Sequence, residues 1–192
     1  ASIEDVSGCG RAINADRLPR MEGRERRPNH RLLWVEGRDL VSSDARLVPF
    51  EMVHADYADP EKPGYGLFPA STNGLASGNH VLEATCGAIC EVIERDAVAV
   101  WWARSTRQRA DTRVDLATLE EGLCRETCSR IFAAGLELAA WDIASDLDVP
   151  SFLCLVWDAG SREGHIGLGS GSHPSRDVAL MRALTEAAQT RL

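Results

Sequence analysis

The chain has 192 residues, of which 44% are hydrophobic and 26% are charged, so it is long enough to bury one sizeable core. Its formal net charge of −8 argues against a nonspecific nucleic-acid surface and against an anionic-membrane surface, because both need clustered positive charge. No apolar run approaches the roughly 20 residues that a membrane span requires. We therefore expect a soluble, cytoplasmic protein that binds neither nucleic acid nor membrane.

The first 56 residues predict one hairpin. Residues 1–29 are polar and rich in Arg and Gly, and the charged run at 24–28 is typical of a solvated loop. β-Branched and aromatic residues at 31–35 and 47–53 predict two strands. A turn composition at 42–44 joins them, so we expect the two strands to pair.

Residues 56–78 are dense in Gly, Pro, Asn and Ser and predict a long loop. Long loops in compact domains are usually functional. Lys62, the only lysine, lies in a turn composition at 59–64 and not in the Gly-Lys-Ser/Thr context of a P-loop. The sequence thus excludes a classical P-loop and leaves one residue for any lysine chemistry.

The rest of the chain alternates irregularly between helical and extended patterns. A helix is predicted from His80 to about Ala103, with Trp101 and Trp102 closing it against the core. Asp115 is the predicted N-cap of a second helix that ends before Gly135. Three strands at 136–143, 151–157 and 165–168, a Gly/Ser loop and an amphipathic helix at 178–192 follow. This order predicts an α+β or mixed α/β fold.

The six cysteines indicate core packing rather than a disulfide framework or a metal site. Cys86 and Cys90, like Cys124 and Cys128, are four residues apart within helical patterns, where small thiols usually pack against a core. The chain contains no Cys-x-x-Cys motif, and no histidine lies at ligand spacing from these pairs. The five histidines are scattered, although His80 and His173 occupy matching positions in two similar segments.

These two segments, 74–80 and 167–173, share the pattern Gly-Leu-x-Ser-Gly-x-His, and each precedes a helix with acidic residues. The first helix carries Glu91 and Glu94, and the second carries Glu186 and Gln189. We expect two matching glycine-rich loops, an internal duplication, and acidic faces that converge on one polar cavity.

Glu91 and Glu94 lie three residues apart, so a helix presents both carboxylates on one face. A cation would relieve their repulsion, and oxygen-only ligands suit magnesium, which commonly bridges one or two carboxylates to substrate phosphates. Glycine loops at helix N-termini also bind anions, although this pattern alone is weak. The alternative is a solvated acidic face in which these carboxylates pair with Arg95 or with other arginines.

The segment 69–79 (PASTNGLASGN), followed by 91–97 (EVIERDA), resembles the YcaO family. The Gly-Ser-Gly at 169–171 and the segment 182–191 (RALTEAAQTR) resemble that family's later motif. The resemblance covers residues 69–192, whereas residues 1–56 match it only weakly. It implies a nucleotide-binding fold in which acidic helices hold Mg2+ ions that bridge the phosphates of ATP.

The resemblance also implies the activity: ATP-dependent phosphorylation of a peptide amide oxygen, with attack by a Cys, Ser or Thr side chain giving azolines or by sulfide giving thioamides. It assigns roles to eight residues, namely Glu91, Glu94 and Glu186 as magnesium ligands, Gln189 as a magnesium or phosphate ligand, Arg95 as a phosphate contact, and Asn73, Ser77 and Asn79 as the lining of the nucleotide pocket. The expected partners are a peptide or protein substrate and a companion protein for substrate or sulfur delivery, and a homodimer stays open.

The family's earlier serine and acidic-helix motif is not recognisable in residues 1–29, and the last helix is still running at Leu192. We therefore expect a partial YcaO-like domain from a longer polypeptide, with weakened ATP binding on its own. Two other hypotheses remain open: a nucleotide-binding or assembly domain without catalysis, and a structural α+β module.

Overall fold

The computed structural model describes residues 1–25, 30–55, 66–160 and 165–191. The predicted turn around Lys62 lies outside these residues. The described chain divides into two compact units, Ala1–Leu75 and Ala76–Leu192. In the part that the structure describes, no helix is long and apolar enough to cross a bilayer.

The first unit is built on a two-stranded hairpin. Strands β1 (Trp34–Arg38) and β2 (Ala45–Pro49) pair antiparallel, and the turn between them contains Ser43 with a positive φ of 63°. The predicted hairpin is confirmed, with bounds shifted by two to four residues. A 3-10 helix, Phe50–Met52, follows β2.

A short N-terminal helix, α1 (Ile3–Ser7), and a 3-10 helix, Ala15–Arg17, were not predicted from the polar composition of residues 1–29. The Ser2 hydroxyl accepts a hydrogen bond from the backbone of Asp5, and the Asp5 carboxylate accepts one from the backbone of Ser2. This capping box fixes the helix start. The buried core of the unit consists of Ile3, Ala15, Leu32, Leu67 and Phe68.

The second unit contains a three-stranded antiparallel sheet in the order β3-β4-β5, with helices on both faces. Its elements are α2 (Val81–Ala103), α3 (Thr106–Ala110), a 3-10 helix (Leu116–Thr118), α4 (Leu123–Ala133), β3 (Leu136–Asp142), β4 (Ser151–Asp158), β5 (Gly167–Ser172) and α5 (Arg176–Thr190). This mixture of helices and strands confirms the predicted α+β class.

The alternation of side chains along β4 separates the two faces of this sheet. Phe152 and Cys154 pack in one core with residues of α4 and α5, whereas Leu153 packs in a second core with Ala97 and Trp101 of α2. Because successive residues of a strand point to opposite faces, α2 lies on one face of the sheet and α4 and α5 lie on the other.

Three predictions were wrong in part, two on secondary-structure elements and one on the burial of a side chain. The predicted helix from Asp115 is broken: the Asp115 carboxylate caps only the 3-10 turn, and α4 begins after Gly122, a poor helix former. Gly135 has the expected positive φ, 77°. Trp101 is buried as predicted, but the neighbouring Trp102 is 50% exposed.

The third correction concerns the segment 167–173. It is not a loop like 74–80, because Gly167–Ser172 forms strand β5 and pairs along its whole length with β4. The two similar sequences therefore have different backbones, and the structure lends no support to an internal duplication.

Candidate functional site

The first part of the candidate site lies on α2. Glu94 shares the buried side of this helix with Cys90 and Ala97, which lie four residues before it and three residues after it, and its side chain is only 5% exposed. The Glu91 side chain is 17% exposed. A charged carboxylate at this depth needs compensation by a partner of opposite charge or by hydrogen bonds.

Arg95 supplies part of that compensation from the same helix. Its Nη2 lies 3.5 Å from Oε1 of Glu91, and its Nη1 lies 4.0 Å from Oε1 of Glu94. The arginine side chain itself is 45% exposed. It therefore reaches from solvent towards two carboxylates, which is the pairing that the alternative of an acidic face predicted, and its role as a phosphate contact stays a prediction.

The second part is Ser170, in the middle of strand β5. Gly169 and Gly171 face α5, so the alternation of the strand directs the Ser170 side chain to the face covered by α2. There the Ser170 hydroxyl donates a hydrogen bond to Oε1 of Glu94 at 2.7 Å. The two residues are 76 positions apart in the sequence, and this bond joins helix to strand.

Glu186, on α5, completes the cluster from the other side of the sheet. Its Oε2 accepts a hydrogen bond from the Ser170 backbone N–H at 2.7 Å and lies 3.5 Å from the Ser170 hydroxyl. Glu94 and Glu186 thus meet on one serine at the edge of the sheet. We call Glu91, Glu94, Arg95, Ser170 and Glu186 the acidic cluster.

The glycines of β5 make this meeting possible. A Cβ atom at Gly169 would lie 2.2 Å from the backbone nitrogen of Ala187 and 2.3 Å from the carbonyl oxygen of Ala183. Only a residue without a side chain lets the α5 backbone approach so closely. The small residues on both elements therefore bring Glu186 within hydrogen-bonding reach of the strand.

Three of the other predicted site residues lie outside this cluster in the second unit. Gln189 is exposed on the last turns of α5. Ser77 and Asn79 are exposed just before α2, whose first residue lies about 15 Å along the helix axis from Glu91. Asn73 belongs to the first unit. Of the predicted convergence, the structure shows Glu94 of α2 and Glu186 of α5 meeting on Ser170 without Gln189, and the shared polar cavity stays a prediction.

The N-terminus of α2 is satisfied by nearby side chains. The Asn79 backbone N–H donates to the carboxylate of Glu83 at 2.8 Å, and the Leu82 backbone N–H donates to Nδ1 of His80 at 3.1 Å. These bonds occupy donors that an anion at this helix end would otherwise use.

Ser170 is the residue that sequence reasoning missed. The motif at 169–171 contains Ser170, but neither the pattern nor the family resemblance assigns it a role. The signal was available, because a serine between two glycines on a strand faces the opposite side from both of them.

The acidic cluster fits Mg2+ by the chemistry of its donors. Carboxylate oxygens are hard ligands, and magnesium usually takes one or two carboxylates together with waters and substrate phosphates. Among the described residues, no three His, Cys, Asp or Glu side chains are arranged to hold an ion by themselves. Glu94 and Glu186 would therefore share the ion with phosphate oxygens.

Cys90, the cysteine nearest to Glu94 along α2, offers no nucleophile at this site. All six cysteines are free, and Cys90, Cys124, Cys128 and Cys154 are buried. Burial raises the pKa of the Cys90 thiol, which lies one helical turn before Glu94. The thiol therefore stays protonated and is a poor nucleophile at neutral pH.

A family model described as YcaO cyclodehydratase, ATP- and Mg2+-binding, matches residues 1–192. The chain belongs to the YcaO family. Among curated proteins, an uncharacterised protein in the tfuA 3′ region of Rhizobium leguminosarum bv. trifolii is 34% identical over 165 residues, which are 83% of this chain and 39% of that protein. An uncharacterised protein of Methanothermobacter thermautotrophicus is 33% identical over 161 residues, 83% of this chain and 41% of that protein.

This YcaO chain thus spans about two-fifths of the length of those two relatives. A solved heterocyclase in complex with substrate and cofactor is 25% identical with a TM-score of 0.67, covering 83% of this chain and 21% of the other. The heterocyclase TruD is 29% identical with a TM-score of 0.63, covering 81% and 22%.

The YcaO of Methanopyrus kandleri, solved with AMPPCP and Mg2+, is 21% identical with a TM-score of 0.59 and covers 94% of this chain and 48% of the other. At this identity the similarity shows the fold. Family membership and fold together make this chain a YcaO domain of the ATP- and Mg2+-binding type.

Proposed function

We propose that the acidic cluster binds ATP with Mg2+, and that the protein containing this chain uses ATP to activate a backbone amide of a peptide. The observation that supports this most strongly is the meeting of Glu94 and Glu186 on Ser170, which brings two carboxylates from two helices to one sheet edge. The family model, with its ATP and Mg2+ description, supplies the identity of the ligand.

The residues of the acidic cluster would have different roles according to their charge. Glu91, Glu94 and Glu186 supply oxygen donors for magnesium, and Arg95 supplies a planar guanidinium suited to a phosphate group. Arg95 already contacts Glu91 and Glu94, so a bound cation would compensate the carboxylates when the guanidinium turns to phosphate. Gln189, Asn79, Ser77 and Asn73 are proposed as further contacts to the nucleotide.

This division suits phosphoryl transfer, which depends on positioned charges more than on a protein nucleophile. ATP would supply the phosphoryl group that converts the amide oxygen into a leaving group. Attack by a Cys, Ser or Thr side chain would then give an azoline, and attack by sulfide would give a thioamide. The role of the protein side chains is to orient the phosphates and neutralise their charge.

We propose that the substrate is a peptide or protein, presented with the help of a companion protein. Similarity to a heterocyclase solved with its substrate supports a peptide-modifying activity. Which of the two products forms depends on the nucleophile, which the peptide or a sulfur donor would supply.

The test uses the full-length protein that contains this chain. We expect calorimetry to show ATP binding that requires Mg2+, and Glu94→Gln and Glu186→Gln to weaken it by tenfold or more, because each removes a ligand charge. Glu126→Gln is the matched control, since Glu126 lies exposed on α4, where it pairs with Arg130 at 2.6 Å. Wild-type affinity in both cluster variants would contradict the assignment.

Catalysis needs a second measurement. Phosphate release that depends on a candidate peptide, together with loss of water from the peptide or exchange of one oxygen for sulfur, would establish the activity and identify the product. Magnesium-dependent ATP binding without either change in any peptide encoded beside the protein would favour the non-catalytic alternative.

A further inference from the structure

We infer that Ser170 is a positioning residue that makes the acidic cluster select Mg2+ over Ca2+. This inference rests on the proposed function, since it concerns the metal that would accompany ATP. Its starting observation is that Ser170 contacts both Glu94 and Glu186, one through its hydroxyl and one through its backbone N–H.

Each of these contacts occupies one oxygen of a carboxylate. The Ser170 hydroxyl bonds Oε1 of Glu94, so Oε2 is the oxygen left for a metal. The Ser170 backbone N–H and hydroxyl both lie at Oε2 of Glu186, so Oε1 is left there. Ser170 therefore favours one-oxygen ligation by both carboxylates.

The number of oxygens that a carboxylate offers separates the two ions. Mg2+ is small and requires near-ideal octahedral geometry, with each carboxylate usually giving one oxygen. Ca2+ is larger, takes six to eight ligands and often binds both oxygens of a carboxylate. A cluster whose carboxylates each keep one oxygen in a hydrogen bond is therefore matched to Mg2+.

The strand makes the serine a rigid support. Ser170 lies opposite Leu153 in the register of β4 and β5, and Ser170 is only 9% exposed. Gly169 and Gly171 on either side are held against the α5 backbone, where even a Cβ would collide. The backbone of Ser170 is thus held in place, so its N–H cannot follow the Glu186 carboxylate if that group rotates to bind a larger ion with both oxygens.

The experiment measures the affinity of the full-length protein for a non-hydrolysable β,γ-methylene ATP analogue, once with Mg2+ and once with Ca2+. The melting temperature without nucleotide is measured to establish that each variant folds. Ser170→Ala removes the bond to Glu94 and keeps the backbone bond to Glu186. We expect the affinity with Mg2+ to fall by about 10- to 100-fold, which is the usual effect of removing a residue that hydrogen-bonds to a metal ligand. The affinity with Ca2+ should fall less, so that the Mg2+/Ca2+ ratio drops at least about fivefold.

Two variants keep the test specific. Ser172→Ala removes a buried hydroxyl from the same face of the same strand, where it bonds Ser151 at 2.5 Å, and should leave the ratio unchanged. Ser170→Thr retains the hydroxyl and should retain the ratio. Should Ser170→Ala not fold, Ser170→Cys replaces the hydroxyl with a weaker donor of similar shape and should lower the ratio in part.

An unchanged ratio in a folded variant that lacks the hydroxyl, or an equal drop in Ser172→Ala, would overturn the inference. These results differ from a failure of the proposed function, which would show as a wild-type protein without Mg2+-dependent binding of the nucleotide.

Discussion

Two segments of this chain share the pattern Gly-Leu-x-Ser-Gly-x-His but fold differently. Segment 74–80 is an irregular approach to α2, and its Ser77 and Asn79 are exposed. Segment 167–173 contains strand β5, and its Ser170 is buried between two acidic helices. The surroundings of each segment, more than the shared residues, decide its conformation.

One feature is common to both segments. Nδ1 of His80 accepts a hydrogen bond from the backbone N–H of Leu82, and Nδ1 of His173 accepts one from that of Ser175, in each case two residues further on. His80 is itself the N-cap of α2, whereas His173 bonds the backbone of Ser175, the N-cap residue of α5. The similarity extends to this local bond and not to the glycines that precede it.

The largest expected effect comes from exchanging glycine and alanine between the segments. Ala76 occupies the position in the first segment that Gly169 occupies in the second. Gly169→Ala should destabilise the protein by about 3 kcal/mol, because its Cβ would collide with the α5 backbone. Ala76→Gly should cost no more than about 1 kcal/mol, through added freedom of the unfolded chain.

Urea unfolding of the two variants measures this difference. Equal destabilisation by both substitutions would show that the close contact between β5 and α5 is not what separates the segments.

A smaller effect concerns the reactivity of two thiols near these segments, those of Cys86 and Cys154. Cys86 is exposed on α2, whereas Cys154 is fully buried on β4, directly opposite Gly169. In the native protein a thiol reagent should modify Cys86, and Cys154 should react only after unfolding. Peptide mass spectrometry before and after denaturation measures both, and rapid native labelling of Cys154 would contradict the packing around β5.

The same burial predicts a pH dependence. Burial raises the pKa of the Cys154 thiol above its ordinary value of 9.0, so the folded state keeps the proton where the unfolded state loses it. The unfolded state then binds fewer protons, and the free energy of unfolding should fall as the pH rises above about 9, by up to about 1.4 kcal/mol per pH unit for this thiol. Cys154→Ala should reduce that slope, and an unchanged slope would exclude the thiol as its source.

The sequence predicted the elements whose own residues determine them. The helical spacing of apolar residues located α2 and α5, and β-branched and aromatic residues located β1 and β2 to within a few residues. Glycine and serine have low strand propensity, so β5 was predicted as a loop after 168. Its strand conformation comes from pairing with β4 and from packing against α5, which only the folded chain supplies.

The candidate site likewise contains residues that the sequence could group and contacts that only the folded chain shows. Glu91, Glu94 and Arg95 could be grouped from their spacing on one helix, and the family motif added Glu186. Glu94 and Glu186 meet through Ser170, which is 76 residues from one and 16 from the other, so no local pattern specified this convergence. The sequence of α2 alone also could not show which of its residues are buried. The apolar Ile89 and Val92 are half exposed, whereas the charged Glu94 is buried.

The central claim is that Glu94 and Glu186 act on one bound Mg2+–ATP, and a double-mutant cycle tests it most directly. The affinity for Mg2+–ATP would be measured by calorimetry for the wild-type full-length protein, Glu94→Gln, Glu186→Gln and the double variant. Ligands of a shared site are coupled, so we expect the effects to differ from additivity by about 1 kcal/mol or more. Additive effects, or no effect of either substitution, would contradict a common site on Ser170.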